Sequence, residues 1–128
     1  MSIARVLAVD DSPTILEMLK AILIGGGYEV ITAADGQEAL AAAREESPDL
    51  ILLDVMLPKL DGYRVCRLLK FDQKYKGIPI IMLTAKVEDQ AVATGIRTGA
   101  DQYLTKPIEP ERLLAAVAEE LGRAASRV

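Results

Sequence analysis

Short apolar runs alternate along the chain with longer segments that have the periodicity of helices. The runs predict five β-strands, at residues 6–9, 28–33, 50–53, 80–83 and 102–105. The runs at 50–53 and 80–83 are apolar at every position, which is typical of strands buried on both faces of a parallel sheet. The chain therefore predicts an α/β fold in which helices cover both faces of the sheet.

Five segments predict helices, namely the one that follows Ser12, the segment 37–46, the one that follows Gly62, and the segments 88–98 and 110–122. Ser12 and Pro13 have the residue types preferred at an N-cap and at the first helical position. The segment 88–98 contains glycine and β-branched residues, which lower its intrinsic helicity. We expect one domain over residues 1–122, followed by a frayed tail at 123–128.

The overall composition narrows the classes of function. With 15 basic and 19 acidic residues the net charge is −4, which disfavours direct binding of nucleic acid. The absence of histidine excludes a Ser–His or Cys–His catalytic pair within the chain. A single cysteine, Cys66, which we expect to pack in a helix, allows no internal disulfide and favours a cytoplasmic location. No apolar run is long enough to span a bilayer, so we expect no membrane association.

Charged residues follow three of the predicted strands. Asp10 and Asp11 follow the first strand, Asp54 follows the third and Lys106 follows the fifth. Because the carboxyl ends of parallel strands share one edge of the sheet, we expect these side chains to meet if the three strands lie close together. Three carboxylates in a small site repel one another unless a cation joins them, and oxygen ligands alone suit a hard cation, Mg²⁺ first.

These residues also carry a resemblance to a known family. Four motifs follow one another along the chain: Asp10-Asp11, Asp54, Thr84-Ala85 and Lys106-Pro107. In their order and spacing they resemble the receiver domain of bacterial two-component response regulators, such as the chemotaxis regulators. The resemblance covers residues 3–121. It implies the flavodoxin-like fold, a five-stranded parallel sheet of order 2-1-3-4-5 with five helices on its two faces.

The resemblance also implies the chemistry of the site. Asp54 is then the phosphorylated residue, and it takes its phosphoryl group from a sensor histidine kinase or a phosphotransfer protein in a Mg²⁺-dependent reaction. The implied metal ligands are Asp11 and Asp54 directly, Asp10 mainly through a water molecule, and the backbone carbonyl of Met56.

Further residues have implied roles in catalysis and switching. Thr84 and Lys106 are then catalytic together with Asp54, because they contact the phosphoryl oxygens. Thr84 and Tyr103 form the implied switch, and Lys106–Pro107 is often a cis peptide bond in the family. The implied partner surface for a downstream protein is formed by the fourth and fifth predicted helices. The chain is then a signalling domain whose chemistry is limited to its own phosphorylation and autodephosphorylation.

Some positions depart from the family pattern or tune it. Met56 and Lys86 stand where the family adjusts the lifetime of the phosphoryl group, so the lifetime stays open. The pair Asp101-Gln102 lacks the second acidic residue that DNA-binding members use in a salt-bridged dimer face. We therefore expect a monomer or a weak dimer.

Two kinds of alternative stand beside this interpretation. The chain is compatible with a free-standing receiver and with a fragment of a longer regulator that has an output domain. A phosphatase with an aspartate nucleophile would need a second aspartate where Met56 stands. A flavin carrier would need a phosphate loop rich in Ser, Thr or Gly after the first strand, where Asp10 and Asp11 stand.

Overall fold

The computed structural model describes residues 3–85 and 98–126. Its strands are β1 (Arg5–Val9), β2 (Glu29–Ala33), β3 (Leu50–Asp54), β4 (Ile80–Thr84) and β5 (Gln102–Thr105). All neighbouring strands are parallel, and the sheet order is β2-β1-β3-β4-β5. The predicted flavodoxin-like sheet and its order are therefore confirmed. The carboxyl ends of β1 and β3 lie side by side, and β4 separates β3 from β5.

Four helices belong to the part of the chain that the structure describes: α1 (Pro13–Gly25), α2 (Gly36–Glu46), α3 (Gly62–Lys70) and α4 (Pro110–Ala125). The helix predicted at 88–98 lies outside the described residues except for Thr98, which is not helical. Within the described ranges, no helix combines the length and apolar character needed to cross a bilayer.

The ends of the helices follow from their capping residues. The Ser12 hydroxyl accepts a hydrogen bond from the backbone N–H of Ile15 at 3.3 Å, so the prediction that Ser12 is the N-cap of α1 is confirmed. Helix α2 begins at Gly36, one residue earlier than predicted, because the Asp35 carboxylate caps it by accepting from the N–H of Glu38 at 2.8 Å. Helix α4 continues to Ala125, beyond the predicted end at Gly122, so residues 123–125 are helical where the sequence predicted a frayed tail.

Alternating strand residues pack into two apolar layers, one on each face of the sheet. Leu7, Val9, Ile51, Leu53 and Met82 lie in the layer that contains residues of α2 and α3. Val6, Ala8, Leu52, Ile81 and Leu83 lie in the layer that contains residues of α1 and α4. Strands β3 and β4 are buried at every residue, so their continuous apolar runs are explained by helices on both faces.

Cys66 belongs to the first of these layers and is free and buried. Its thiol donates to the backbone carbonyl of Thr98 at 3.4 Å. Burial raises the pKa of Cys66 to about 12, so the thiol stays protonated at neutral pH. Cys66 lies on a helix and packs into the core, so the prediction that it is a packing residue of a helix is confirmed.

Candidate functional site

The predicted charged residues meet at the carboxyl edge of the sheet. Asp10 directly follows β1, Asp54 ends β3, and Lys106 follows β5. The ammonium of Lys106 reaches across β4, so that its Nζ lies 3.1 Å from Asp54 Oδ1 and 3.3 Å from Asp10 Oδ2. The structure therefore brings together the strand ends that the sequence predicted to share a crevice.

Three carboxylates form the acidic part of this site. Asp10, Asp11 and Asp54 each offer one oxygen, and these oxygens lie within 4.8 Å of one another. Asp10 is only 1% exposed and Asp54 only 5% exposed, whereas Asp11 is exposed to solvent. The N–H of Ser12 donates to Asp10 Oδ1 at 2.9 Å, which fixes this carboxylate at the start of α1.

The charges in the site shift the pKa values of its buried groups. Burial, together with the nearby charge of Asp10, raises the pKa of Asp54, and the hydrogen bond and charge of Lys106 offset only part of this rise. Burial alone would lower the pKa of Lys106, but its hydrogen bond and attraction to Asp54, with the charge of Asp10, outweigh burial and raise it. The site thus concentrates negative charge that one ammonium does not fully balance.

This donor set fits a hard divalent cation. All three side chains supply oxygen, and the converging carboxylates repel one another until a cation joins them. Met56 lies two residues after Asp54, and because its side chain is a thioether, its backbone carbonyl is the only oxygen that it can add. The Asp10, Asp11 and Asp54 cluster could therefore hold a metal ion.

The loop between β3 and α3 carries Met56 and is held at several points. The N–H of Val55 donates to the Leu83 carbonyl at 3.2 Å, and the N–H of Gly62 donates to the Val55 carbonyl at 2.9 Å. Within the loop, Lys59 has a φ of 67° and its Nζ lies 3.3 Å from Asp35 Oδ2. The Asp35–Lys59 pair therefore ties the loop to the start of α2.

Sequence reasoning missed this Asp35–Lys59 contact. Asp35 and Gly36 predicted only a turn, and Lys59 lies in a loop with no distinguishing pattern. The contact joins two loops at the same sheet edge, so it depends on β2 and β3 both flanking β1. The Pro58-Lys59 sequence could indicate a turn, but a turn signal does not identify the residue that Lys59 contacts in another loop.

The remaining predicted site residues lie at the ends of β4 and β5. Thr84 is the last residue of β4 and is buried, and in the strand register it faces Thr105. The N–H of Lys106 donates to the Thr84 carbonyl at 2.7 Å, which holds the two strand ends together. The Lys106–Pro107 peptide bond is cis, as the resemblance implied.

Tyr103 lies two residues before the end of β5 and is half-buried. Its hydroxyl and Thr98 Oγ1 are 2.9 Å apart and share a hydrogen bond. Tyr103 is therefore on the same strand as the Thr105–Lys106 end but does not belong to the acidic cluster. Lys86, which the sequence placed near the site, lies outside the described residues.

Comparison with known proteins gives a consistent set of similarities. Residues 6–118 match the family described as the response regulator receiver domain. Over 119 residues the chain is 47% identical to the DNA-binding response regulator MtrA of Mycolicibacterium smegmatis. Over 119 residues it is 50% identical to the alkaline phosphatase synthesis transcriptional regulatory protein PhoP of Bacillus subtilis. These matches cover 93% of this chain but 51% and 49% of the two proteins, so the chain spans about half the length of these relatives.

Solved structures show the same similarity. A putative response regulator from Chloroflexus aurantiacus superposes with a TM-score of 0.88 at 41% identity, covering 94% of this chain and 99% of that one. The chemotaxis response regulator CheY4 of Vibrio cholerae superposes with a TM-score of 0.85 at 40% identity, covering 93% of this chain and 99% of that one.

Proposed function

Because the chain belongs to the response regulator receiver family, we propose that Asp54 accepts a phosphoryl group from a sensor histidine kinase or a phosphotransfer protein. One observation carries the proposal: the Asp54 carboxylate ends the buried strand β3 among two other carboxylates and the ammonium of Lys106. Ligands of open α/β folds bind at the carboxyl ends of the strands, so we infer that the donor approaches Asp54 from this edge of the sheet.

In this proposal Asp10, Asp11 and Asp54 hold Mg²⁺. Asp11 and Asp54 contact the ion directly, Asp10 acts mainly through a water molecule, and Met56 adds its backbone carbonyl. When bound, the ion supplies positive charge that offsets the charge of the incoming phosphoryl oxygens. The support is the convergence of three carboxylate oxygens within 4.8 Å of one another.

The proposed transfer is a displacement at phosphorus. A carboxylate oxygen of Asp54 forms a bond to phosphorus while the bond from phosphorus to a ring nitrogen of the donor histidine breaks. The electron pair of that bond stays with the donor ring. We assign Lys106, whose Nζ lies 3.1 Å from Asp54 Oδ1, to one phosphoryl oxygen and the Thr84 hydroxyl to another.

We assign the switch to Thr84 and Tyr103. Phosphorylation adds charge and acceptor oxygens at Asp54, which can draw the Thr84 hydroxyl toward them. In this proposal Tyr103 then changes rotamer and gives up its hydrogen bond to Thr98. The change is transmitted toward α4, where Arg112 donates to Gln102, the neighbour of Tyr103, at 3.2 Å. The predicted helix at 88–98 was also expected to contribute to the partner surface, and its residues 88–97 lie outside those described.

We also make a proposal about whether this domain belongs to a longer protein. Since the chain spans about half of regulators such as MtrA, we propose that it acts as the receiver part of a longer regulator with an output domain. The expectation that nucleic acid is not bound directly then concerns these 128 residues alone, because the named relatives are DNA-binding or transcriptional regulators. We expect a cytoplasmic signalling domain, monomeric or weakly dimeric, with no catalysis beyond its own phosphorylation and autodephosphorylation.

The test is labelling with acetyl phosphate and Mg²⁺, followed by intact mass. The wild-type chain should gain one phosphoryl group, and Asp54→Asn should gain none because an amide is not a nucleophile here. Asp49→Asn is the matched control: Asp49 is at the opposite edge of the sheet, where it accepts from the N–H of Arg5 at 2.7 Å, so this variant should label fully. Equal labelling of Asp54→Asn and the wild type would refute the assignment.

A further inference from the structure

Two large apolar side chains are exposed on the outer side of α3 and at the residue that caps its end. Leu68 is 50% exposed and Phe71, the only phenylalanine of the chain, is 70% exposed. The opposite side of the same helix supplies Val65, Cys66 and Leu69 to the core. The fold therefore does not require an apolar residue at position 68 or 71.

A shallow cavity lies between these side chains. It has a volume of about 340 Å³ and is lined by Arg67, Leu68, Phe71 and Asp72. Its walls thus combine apolar surface with a cation and an anion at the rim. A cavity of this kind suits an apolar side chain presented by a polar segment.

The segment that contains the cavity-lining residues has a charge opposite in sign to that of the whole chain. Residues 62–76 contain five basic side chains and one acidic one, although the net charge of the chain is −4. Lys70 is neutralised, because its Nζ lies 2.9 Å from Asp101 Oδ2. Four exposed basic residues form no ion pair with a carboxylate of residues 3–85 or 98–126: Arg64, Arg67, Lys74 and Lys76.

This region is remote from the acidic cluster. Helix α3 starts at Gly62, whose N–H bonds to Val55 next to Asp54, and it runs back along the sheet. At its other end Lys70 donates to the carbonyl of Ile78, just before β4 begins, at 3.0 Å. Phe71 therefore lies toward the amino edge of the sheet, away from Asp54.

We propose that this surface docks an acidic polypeptide segment of another protein, which inserts an aliphatic side chain into the cavity. We call it the α3 outer surface and define it by Arg64, Arg67, Leu68, Phe71, Lys74 and Lys76. Opposite charge would guide the segment to the cations, and burial of Leu68 and Phe71 would hold it.

The charges and the apolar centre favour this occupant over two others. A second copy that docked symmetrically through this same surface would bring the four cations against one another, and like charges at an interface oppose association. Duplex DNA would match the cations, but its bases are stacked inside the duplex and its phosphates gain nothing from contact with Leu68 and Phe71. An acidic segment with apolar anchors satisfies both features at once.

The probe for the test is a fluorescein-labelled helical peptide in which leucines recur at i, i+3, i+4 and i+7 among glutamates. We expect Leu68→Ser, Phe71→Ser and Arg67→Glu each to weaken its binding by about tenfold or more, measured by fluorescence anisotropy. Ile24→Ser and Lys20→Glu are matched controls, because Ile24 is 54% exposed and both residues lie on α1. The controls should bind like the wild type.

The variants should stay folded, with melting temperatures within a few degrees of the wild type, because these side chains are exposed. They should keep wild-type labelling by acetyl phosphate, since none of these side chains belongs to the acidic cluster. A failure of peptide binding is thereby distinguished from a failure of the proposed phosphorylation. Binding that does not exceed that of a matched lysine peptide, or that survives the α3 substitutions, overturns the proposal. So does a dimer that Phe71→Ser dissociates, or stronger binding of duplex DNA that Arg67→Glu abolishes.

Discussion

The Asp54 carboxylate lies in surroundings that oppose its negative charge. It is buried, it shares its site with Asp10, and Lys106 offsets only part of the resulting rise in its pKa. Asp11 differs from both neighbours because it is exposed, so water can solvate its charge. The three carboxylates thus have different structural roles although they contribute to one cluster.

This difference predicts the effect of Asp11→Asn. We expect the free energy of unfolding in metal-free buffer to change by less than about 0.5 kcal/mol, because Asp11 is exposed. Mg²⁺ affinity should fall clearly, since one carboxylate is lost from a small oxygen site. Urea unfolding and calorimetric Mg²⁺ titration measure the two effects. Unchanged Mg²⁺ affinity would remove Asp11 from the proposed ligands.

At the scale of elements, the β3–α3 loop is positioned by close backbone contacts. The N–H of Gly36 donates to the Pro58 carbonyl at 3.4 Å, and a Cβ atom at position 36 would overlap the carbonyl group of Leu60. The first turn of α2 and the loop that carries Met56 therefore fit together only because residue 36 has no side chain.

This fit predicts opposite effects for two Gly→Ala substitutions. Gly36→Ala should destabilise the protein by about 1–3 kcal/mol, because the backbone of Leu60 has to move. Gly122→Ala, in α4, should instead stabilise it by about 0.5–1 kcal/mol, since its Cβ meets nothing within 4 Å and alanine favours helix. Urea denaturation of both variants checks the signs, and a neutral Gly36→Ala would contradict the close fit.

The elements show which parts of the structure the pattern could predict. The apolar runs located β3 and β4 because every residue of both strands is buried, and Ser12-Pro13 located the start of α1. The end of α4 was misplaced at Gly122, since Arg123 continues the helix through contacts to Glu119 at 2.6 Å and Glu120 at 3.0 Å. A glycine predicts a helix end only where no such contacts extend the helix.

For the site, the pattern and the resemblance supplied different parts. The position of Asp10, Asp54 and Lys106 after strands predicted a common edge, but the strand order came from the resemblance. Asp35 and Lys59 were not predicted as partners, because a contact between loops depends on which strands are neighbours. Periodicity reports how a segment is buried and does not report what faces it across the sheet.

At the scale of the whole molecule, Lys106 joins parts of the sheet that are far apart in sequence. Its Nζ contacts Asp10 after β1 and Asp54 at the end of β3, and its N–H donates to Thr84 at the end of β4. Tyr103 lies three residues earlier on the same strand. In our proposal a change at Asp54 is passed to Tyr103 through this short segment, beginning at the Lys106 side chain that contacts Asp54.

We predict that Lys106→Ala separates phosphorylation from the switch. Asp54 should still be labelled by acetyl phosphate with Mg²⁺, because its carboxylate and the neighbouring Asp10 and Asp11 remain. The variant lacks the Lys106 ammonium that we assign to a phosphoryl oxygen. We therefore expect phosphorylation to change the NMR signals of Tyr103 in the wild type but not in this variant. Lys106→Arg should restore the charge but not the response, since a planar guanidinium replaces a compact ammonium.

Lys20→Ala, on α1, is the control for loss of a lysine elsewhere and should respond like the wild type. The comparison is made at equal phosphorylation, determined by intact mass, so that a weak response cannot arise from incomplete labelling. If Tyr103 in Lys106→Ala responds as in the wild type, the ammonium is not part of the switch. The coupling would then have to run through the backbone bond from Lys106 to Thr84, which the alanine variant retains.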